Sequence, residues 1–392
     1  MKYYKIFFLV LCLLLLVVPL MQMNKENVAT QENRTLAAFP LTRKDGKPNY
    51  EFGKEFERWL GDRFWGRTQL ISARFWMMYA INGRIENDKA FVGDDGWMFE
   101  KAKIVQVPSL YKQREKIEKD ADILKRFADK FKDRNIPIYF VLIPDREDLY
   151  QKYWEKHYPP QPRLDYGDEL INALKDCPNI HAIYPKSEFE QMAKTEWVFY
   201  QDDGHMTDLP KKLLIQKVFE RLKQDYFPHS ELQLFMKQDV VVEQHVSHIA
   251  ALLGLQGQSN IILPHTTLTL SQQFSSQALN VPEYTVDEDT EYKGIFLKPW
   301  QVMQTNDAIL DQQGIFYGPC YMTEIYDALN VLFSKAVHIR PNVAASGQAA
   351  VELAQSKTND LFNLTDNTII FIMPQNLTLI EKALQEHNNK KK

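Results

Sequence analysis

From residue 314 onward the chain alternates short apolar runs with stretches of helical periodicity, and this pattern constrains the fold most tightly. GIFY at 314 to 317 leads to a helix over 321 to 334, and AVHIR at 336 to 340 leads to a helix over 346 to 357. TIIFIM at 368 to 373 then leads to a helix over 377 to 387. Strands that alternate with helices build a parallel sheet covered on both faces. Upstream, IPIYFVLIP at 136 to 144 is one continuous apolar run, as expected of a strand buried on both sides. IHAIY at 180 to 184 reads as a further strand, and WVFY at 197 to 200 as a strand leading into QDDGHMTDLP. The expectation is an α/β fold with a mainly parallel sheet. Ligands of such sheets sit beyond the C-terminal ends of the strands.

Other segments complete the outline. Residues 51 to 84 read as helical, with Phe52, Phe56, Trp59, Leu60 and Phe64 recurring on one face. Ala90-Phe-Val, the turn Gly93-Asp-Asp-Gly96 and Trp97-Met-Phe99 read as a hairpin. Helices are expected over about 109 to 133, 166 to 176, 210 to 226 and 239 to 253, and strands and loops over 255 to 300. At 45% hydrophobic and 25% charged, 392 residues suffice for a large globular domain. A net charge of -4 gives no general attraction to nucleic acid.

The N-terminus carries a different signal. Lys2 and Lys5 precede an uncharged apolar run, residues 6 to 23, near the lower length limit of a spanning helix. No small-residue cleavage pattern follows it, which favours an uncleaved signal anchor over a cleaved signal peptide. The lysines place the start of the chain in the cytoplasm and the rest outside it. The expected organisation is a signal anchor at 1 to 23, a polar linker at 24 to 50, and one extracytoplasmic domain at 51 to 392.

Two stretches carry chemistry. Asp202 and Asp203 lie three and two residues before His205, close enough for a carboxylate to orient an imidazole and stabilise its charged form. The competing structural reading is a polar loop before a helix, with Asp208 as its N-cap. Cys320 follows a strand and Gly318-Pro319 and opens a helix, where unpaired N–H groups favour a thiolate. Cysteine is also among the most buried residue types, and a disulfide with Cys177 would remove it from chemistry. His245 and His248 lack recognisable further metal ligands, and Asp202, Asp203 and His205 would need one or two from elsewhere. No phosphate-binding P-loop or dinucleotide fingerprint is present, so neither metal nor cofactor is expected.

An ordered set of stretches resembles the AlgJ/AlgX family, the SGNH-hydrolase-like proteins of alginate and other exopolysaccharide O-acetylation. The stretches are ENRTLAAFP (32 to 40), FGKEFERWLGDRFWGRTQLI (52 to 71), VGDDGWMF (92 to 99), DDGHMT (202 to 207) and GIFYGPCY (314 to 321). The resemblance implies a three-layer α/β/α SGNH-like domain. It places Asp203 and His205 in the orienting and base positions and Cys320 in the place of the nucleophilic serine. It implies acetyl transfer to hydroxyls of an exported polysaccharide, with a membrane-bound O-acyltransferase as the partner that supplies acetyl groups. This chain departs from the family pattern at Pro319 (for aspartate), Cys320 (for serine), Met206 (for tryptophan) and Gln375-Asn376, where an acidic-basic pair is usual. Two other readings follow from those departures: a catalytically degenerate homologue that binds polysaccharide or an assembly partner, and an esterase that uses water as acceptor.

Overall fold

The computed structural model describes residues 4–10, 17, 37–44, 46–64, 67–229, 236–241, 247–253, 271–276, 284–286, 300–305, 308–342, 348–374 and 376–390. Its centre is a seven-stranded sheet. In spatial order the strands are Ile180–Ile183, Ile138–Val141, Thr368–Ile372, Leu310–Tyr317, Phe333–Ile339, Trp300–Thr305 and Tyr284–Val286. The first five run parallel, and the last two add antiparallel at one edge. The mainly parallel α/β sheet expected from the sequence is therefore present.

The strand sequences explain why both faces are covered. Successive side chains point to opposite sides of a sheet. Tyr139, Val141, Phe316 and Phe371 enter one core with Leu214, Val218, Met322 and Ile325 of the helices Asp208–Tyr226 and Cys320–Leu329. Ile138, Phe140, Ile315, Tyr317, Ile370 and Ile372 enter the other core. There they meet Ile117 and Leu124 of helix Leu110–Asp129, Leu170 of Tyr166–Leu174, and Ile380 of Thr378–Lys390. Apolar residues at every position are required by this two-sided burial.

Several boundaries differ from the sequence reading. The helix that opens at Cys320 ends at Leu329, and the next strand begins at Phe333, because Leu332, Phe333 and Ala336 are drawn into the core. Residues 239 to 253 are not one helix: Met236–Val241 is a strand paired antiparallel with Ser271–Ser276, and the helix is His248–Leu253. WVFY is not a sheet strand. Phe199 instead bridges Met206, and Thr207 N–H donates to Val198 O (2.9 Å), closing 198 to 207 into a local loop. The helical stretch from 51 divides into Phe52–Arg63 and Arg67–Asn82. The predicted hairpin forms, pairing Ala90–Val92 with Met98–Glu100, with Asp95 in the left-handed region at φ 52. Most of the apolar run at 6 to 23 lies outside the described residues, as does His245. Among the described residues no helix is long and apolar enough to cross a membrane.

Candidate active site

The nucleophile turn is shaped by what the strand ends permit. Strand Leu310–Tyr317 runs between two parallel neighbours, and its register continues one step further, where Gly318 N–H donates to Ile339 O (3.1 Å). The chain must then turn at once into the helix. A Cβ on Gly318 would lie 2.8 Å from Met322 Cβ and 3.0 Å from Met373 Cβ, so only glycine fits. Pro319 takes the N-cap position at φ -73, where its missing N–H costs no helical bond. Cys320 is the first residue of helix Cys320–Leu329, half-buried and free. Cys177 is also free, and packs against the opposite core, so the two are not paired.

The 198 to 207 loop is held from four directions. Met98 N–H of the hairpin donates to Gln201 O (2.9 Å), and Gln201 Nε2 donates back to Asp95 O (3.0 Å). Val198 N–H donates to the Tyr150 hydroxyl (2.7 Å). Arg146, 3% exposed, donates from Nη2 to Tyr200 O (3.0 Å) and Gln201 O (2.8 Å) and from Nε to Tyr200 O (3.3 Å). Its guanidinium lies over the Trp97 and Phe99 rings at 5.1 and 4.9 Å. Ser247 caps helix His248–Leu253 by accepting from Ala250 N–H (3.0 Å) and donates its hydroxyl to Asp202 O. The hairpin and the arginine after strand Ile138–Val141 thus act as clamps on the loop.

Within the loop, Asp203 is almost fully covered. Its Oδ1 accepts from Gly204 N–H (2.6 Å) and its Oδ2 from His205 Nδ1 (2.9 Å). The Cys320 side chain also acts on the imidazole and, like Asp203, favours its charged form. Burial would lower the imidazole pKa, but the hydrogen bonds to Asp203 and Cys320 outweigh it and push it up to about 10. The imidazole nevertheless keeps one side open, with 46% of the side chain meeting solvent. Solvent at that open side screens the charges and weakens the shift.

Tyr321 joins the two halves: its hydroxyl donates to Gly204 O, beside His205, and its ring lies 5.8 Å from the imidazole. A second tie runs between helices, where Lys211 pairs with Glu324 at 3.0 Å. Arg340, just past strand Phe333–Ile339, donates from Nη2 to Thr323 Oγ1 (2.5 Å), one helical turn beyond Cys320. Met206 is buried in the core with Phe199 and presents nothing to solvent. Asp208 is the first residue of its helix, with Thr207 at the N-cap.

The structure therefore brings Asp203, His205 and Cys320 together at the C-terminal edge of the sheet. Sequence reasoning missed Arg146, Tyr321 and Arg340. Arg340 directly follows a buried parallel strand, in HIR, and Arg146 lies five residues past another, in IPDR; that placement is a usable signal because such ends face the ligand edge. No group of three or more metal-ligating side chains occurs among the described residues.

The sequence profile of the SGNH hydrolase-like domain of acetyltransferase AlgX matches residues 90–286, half of the chain. The matched stretch contains Asp203 and His205, and Cys320 lies beyond it. No curated protein matches the chain. Among solved structures, Bacillus cereus PatB1 with a sulfonyl adduct is 14% identical, with a TM-score of 0.49, covering 76% of this chain and 98% of that one. The O-acetyltransferase domain of Pseudomonas putida AlgJ is 10% identical, with a TM-score of 0.44, covering 76% and 99%. Pseudomonas aeruginosa AlgX is 12% identical, with a TM-score of 0.41, covering 76% and 67%.

Proposed function

Since the chain belongs to the AlgX family of SGNH hydrolase-like acetyltransferase domains, we propose that it transfers acetyl groups to hydroxyls of an exported polysaccharide through Cys320, His205 and Asp203. The observation that carries this reading is the imidazole held between the Asp203 carboxylate and the Cys320 side chain. The supporting chemistry is covalent acyl transfer. With Asp203 on Nδ1, the imidazole is held as an imidazolium facing the sulfur. The thiolate attacks the acetyl carbonyl, the carbonyl electron pair moves to oxygen, and the resulting oxyanion collapses. The leaving alkoxide takes the proton from His205, and a thioester on Cys320 remains. A sugar hydroxyl then gives its proton to His205 while its oxygen attacks the thioester, and thiolate departs.

The domain works outside the cytoplasm in this reading. The apolar run at 6 to 23 anchors it to the cytoplasmic membrane, residues 24 to 50 link it to the domain at 51 to 392, and a membrane-bound O-acyltransferase supplies the acetyl group. Cysteine in the serine position is compatible with the reading, because a thioester is a reactive acyl carrier and transfers readily to an alcohol.

The test is intact-mass spectrometry of the protein after brief exposure to p-nitrophenyl acetate. An acetyl increment should map to Cys320 and be absent in Cys320→Ala. It should decay faster when an acceptor glycan is added, with acetate appearing on the glycan. Decay to free acetate at the same rate with and without glycan would identify an esterase. Equal p-nitrophenol release by wild type and Cys320→Ala would reject a catalytic role and leave the degenerate homologue.

A further inference from the structure

A thiolate attack on a carbonyl needs more than a nucleophile and a base. The oxygen that gains the negative charge must meet fixed donors, and those donors supply much of the rate. The turn around Cys320 is short of them. Gly318 N–H is spent on Ile339 O, Met322 N–H on Pro319 O (2.9 Å), and Pro319 has no N–H at all. Within the turn this leaves the N–H groups of Cys320 and Tyr321.

A charged donor stands next to the turn. Gly318 N–H donates to the carbonyl of Ile339, so Arg340 begins beside the nucleophile turn. Along the strand it shares a face with His338, whose ring stacks on Tyr326 of the Cys320 helix at 5.4 Å. The Arg340 side chain accordingly reaches the same helix. One edge of its guanidinium bonds Thr323 Oγ1. Its Nε is buried and, among the described residues, has no hydrogen-bond partner. An unspent buried guanidinium donor is costly unless a ligand uses it.

The charges around Arg340 also leave it available. Burial lowers the Arg340 pKa, and Cys320, Asp327 and Glu324 act against that lowering. Glu324 is taken up by Lys211. Asp327 is held above the usual carboxylate range by burial and by Glu324, which weakens its claim on the guanidinium. From the facing loop come His205 and Asp203, which are paired with each other. Arg146, the other arginine near this site, spends Nε and Nη2 on the carbonyls of Tyr200 and Gln201; its Nη1 is also buried without a partner among the described residues, but no hydrogen bond ties it to the Cys320 helix as Thr323 ties Arg340.

We propose that Arg340 is a catalytic residue: its guanidinium, with the Cys320 N–H, forms the oxyanion site for both tetrahedral intermediates of acetyl transfer. The proposal rests on the acyl-transfer reading above. In acylation the sulfur–carbon bond forms, the carbonyl pair moves onto oxygen beside Arg340, and the pair returns as the donor alkoxide leaves with the His205 proton. In deacylation the acceptor oxygen–carbon bond forms after proton transfer to His205, and the returning pair expels the thiolate. Arg340 stays protonated throughout and gives only hydrogen bonds and charge.

The experiment compares two reactions of the same sulfur in the full chain. Acetylation of Cys320 by p-nitrophenyl acetate passes through an oxyanion, and alkylation by iodoacetamide does not. In Arg340→Gln, acetylation should fall about 100-fold, the usual loss on removing an oxyanion donor. Alkylation of Cys320, read on the same peptide by mass spectrometry, should fall less than about 10-fold. Arg340→Lys, which keeps the charge in a different geometry, should lie between wild type and Arg340→Gln, and it provides the test if Arg340→Gln does not fold. Equal acetylation rates in wild type and the variant would overturn the proposal. So would a parallel fall in both reactions, which would mean that Arg340 serves the sulfur or the fold and not the oxyanion. A wild type that alkylates at Cys320 but never acetylates would overturn the acyl-transfer reading and this proposal with it. That result is told apart because it appears before any variant is made.

Discussion

Arg146 makes the most demanding test of how the site is held together, because it touches none of the three reacting residues. It is 3% exposed, bonds the carbonyls of Tyr200 and Gln201, and lies over the rings of Trp97 and Phe99. Consider Arg146→Met, which keeps much of the apolar stem and removes the donors. Each carbonyl loses a bond from a charged group, about 1.5 to 3 kcal/mol apiece. Part is returned, since burial already lowers the Arg146 pKa and its charge is no longer desolvated. Glu147, 1% exposed and paired with Lys103 at 3.7 Å, also loses the electrostatic influence of the neighbouring guanidinium. Two such bonds, less the returned desolvation, put the expected loss at about 2 to 4 kcal/mol. The assay is urea unfolding paired with hydrogen exchange at Gly204 and His205. Protection there should collapse well before the sheet opens, and acetylation of Cys320 should fall with it. A loss under about 1 kcal/mol with unchanged protection would refute the clamp.

Other expectations follow from the same geometry. Gly318→Ala places a methyl 2.8 Å from Met322 Cβ and should destabilise by about 1 to 3 kcal/mol in urea unfolding, as overpacked cores do. The raised His205 pKa has a defined sign: its stabilisation is fully present below the unfolded value of ~6.5 and is lost as pH rises through about 10. The stability gap between wild type and Asp203→Asn should therefore be widest at pH 6 and narrow toward pH 10. Tyr321→Phe removes the hydroxyl that reaches Gly204 O and should cost about 1 kcal/mol in stability, with a larger loss in the acetylation rate of Cys320.

Much of the sheet could be read from the sequence, and the reasons are local. Runs such as IPIYFVLIP and TIIFIM have no polar face, and only a strand between two helical layers uses every side chain of such a run. The hairpin was legible because Gly93 and Gly96 bracket a turn, and Gly96 adopts φ 79. WVFY failed as a strand because its aromatic and β-branched composition serves the core, while its backbone bonds close on Met206 and Thr207. The 239 to 253 stretch failed because a helix period and a strand period compete in short mixed runs, and pairing with Ser271–Ser276 decides between them. Of the candidate site, Asp203 beside His205 was visible as a spacing. The approach of Cys320 to His205 was not, since 115 positions separate them in the sequence and the juxtaposition depends on the clamp of Arg146 and the tie of Tyr321.

The substitutions at the nucleophile turn become coherent when the charge at each step is followed. A serine must give up a proton in the transition state, so its histidine has to be neutral beforehand. Asp203 and Cys320 both raise the His205 pKa here, which favours an imidazole that already holds a proton. A cysteine can be held as a thiolate against an imidazolium, and then the proton is already where the leaving group needs it. Arg340 stands next to the same turn, through the Gly318–Ile339 bond that precedes it and its own bond to Thr323. Pro319 leaves the turn without a side-chain charge. Gly-Pro-Cys is thus internally consistent: the residue that lacks a side-chain charge, the sulfur nucleophile and the unspent arginine all suit a thiolate route better than a serine one.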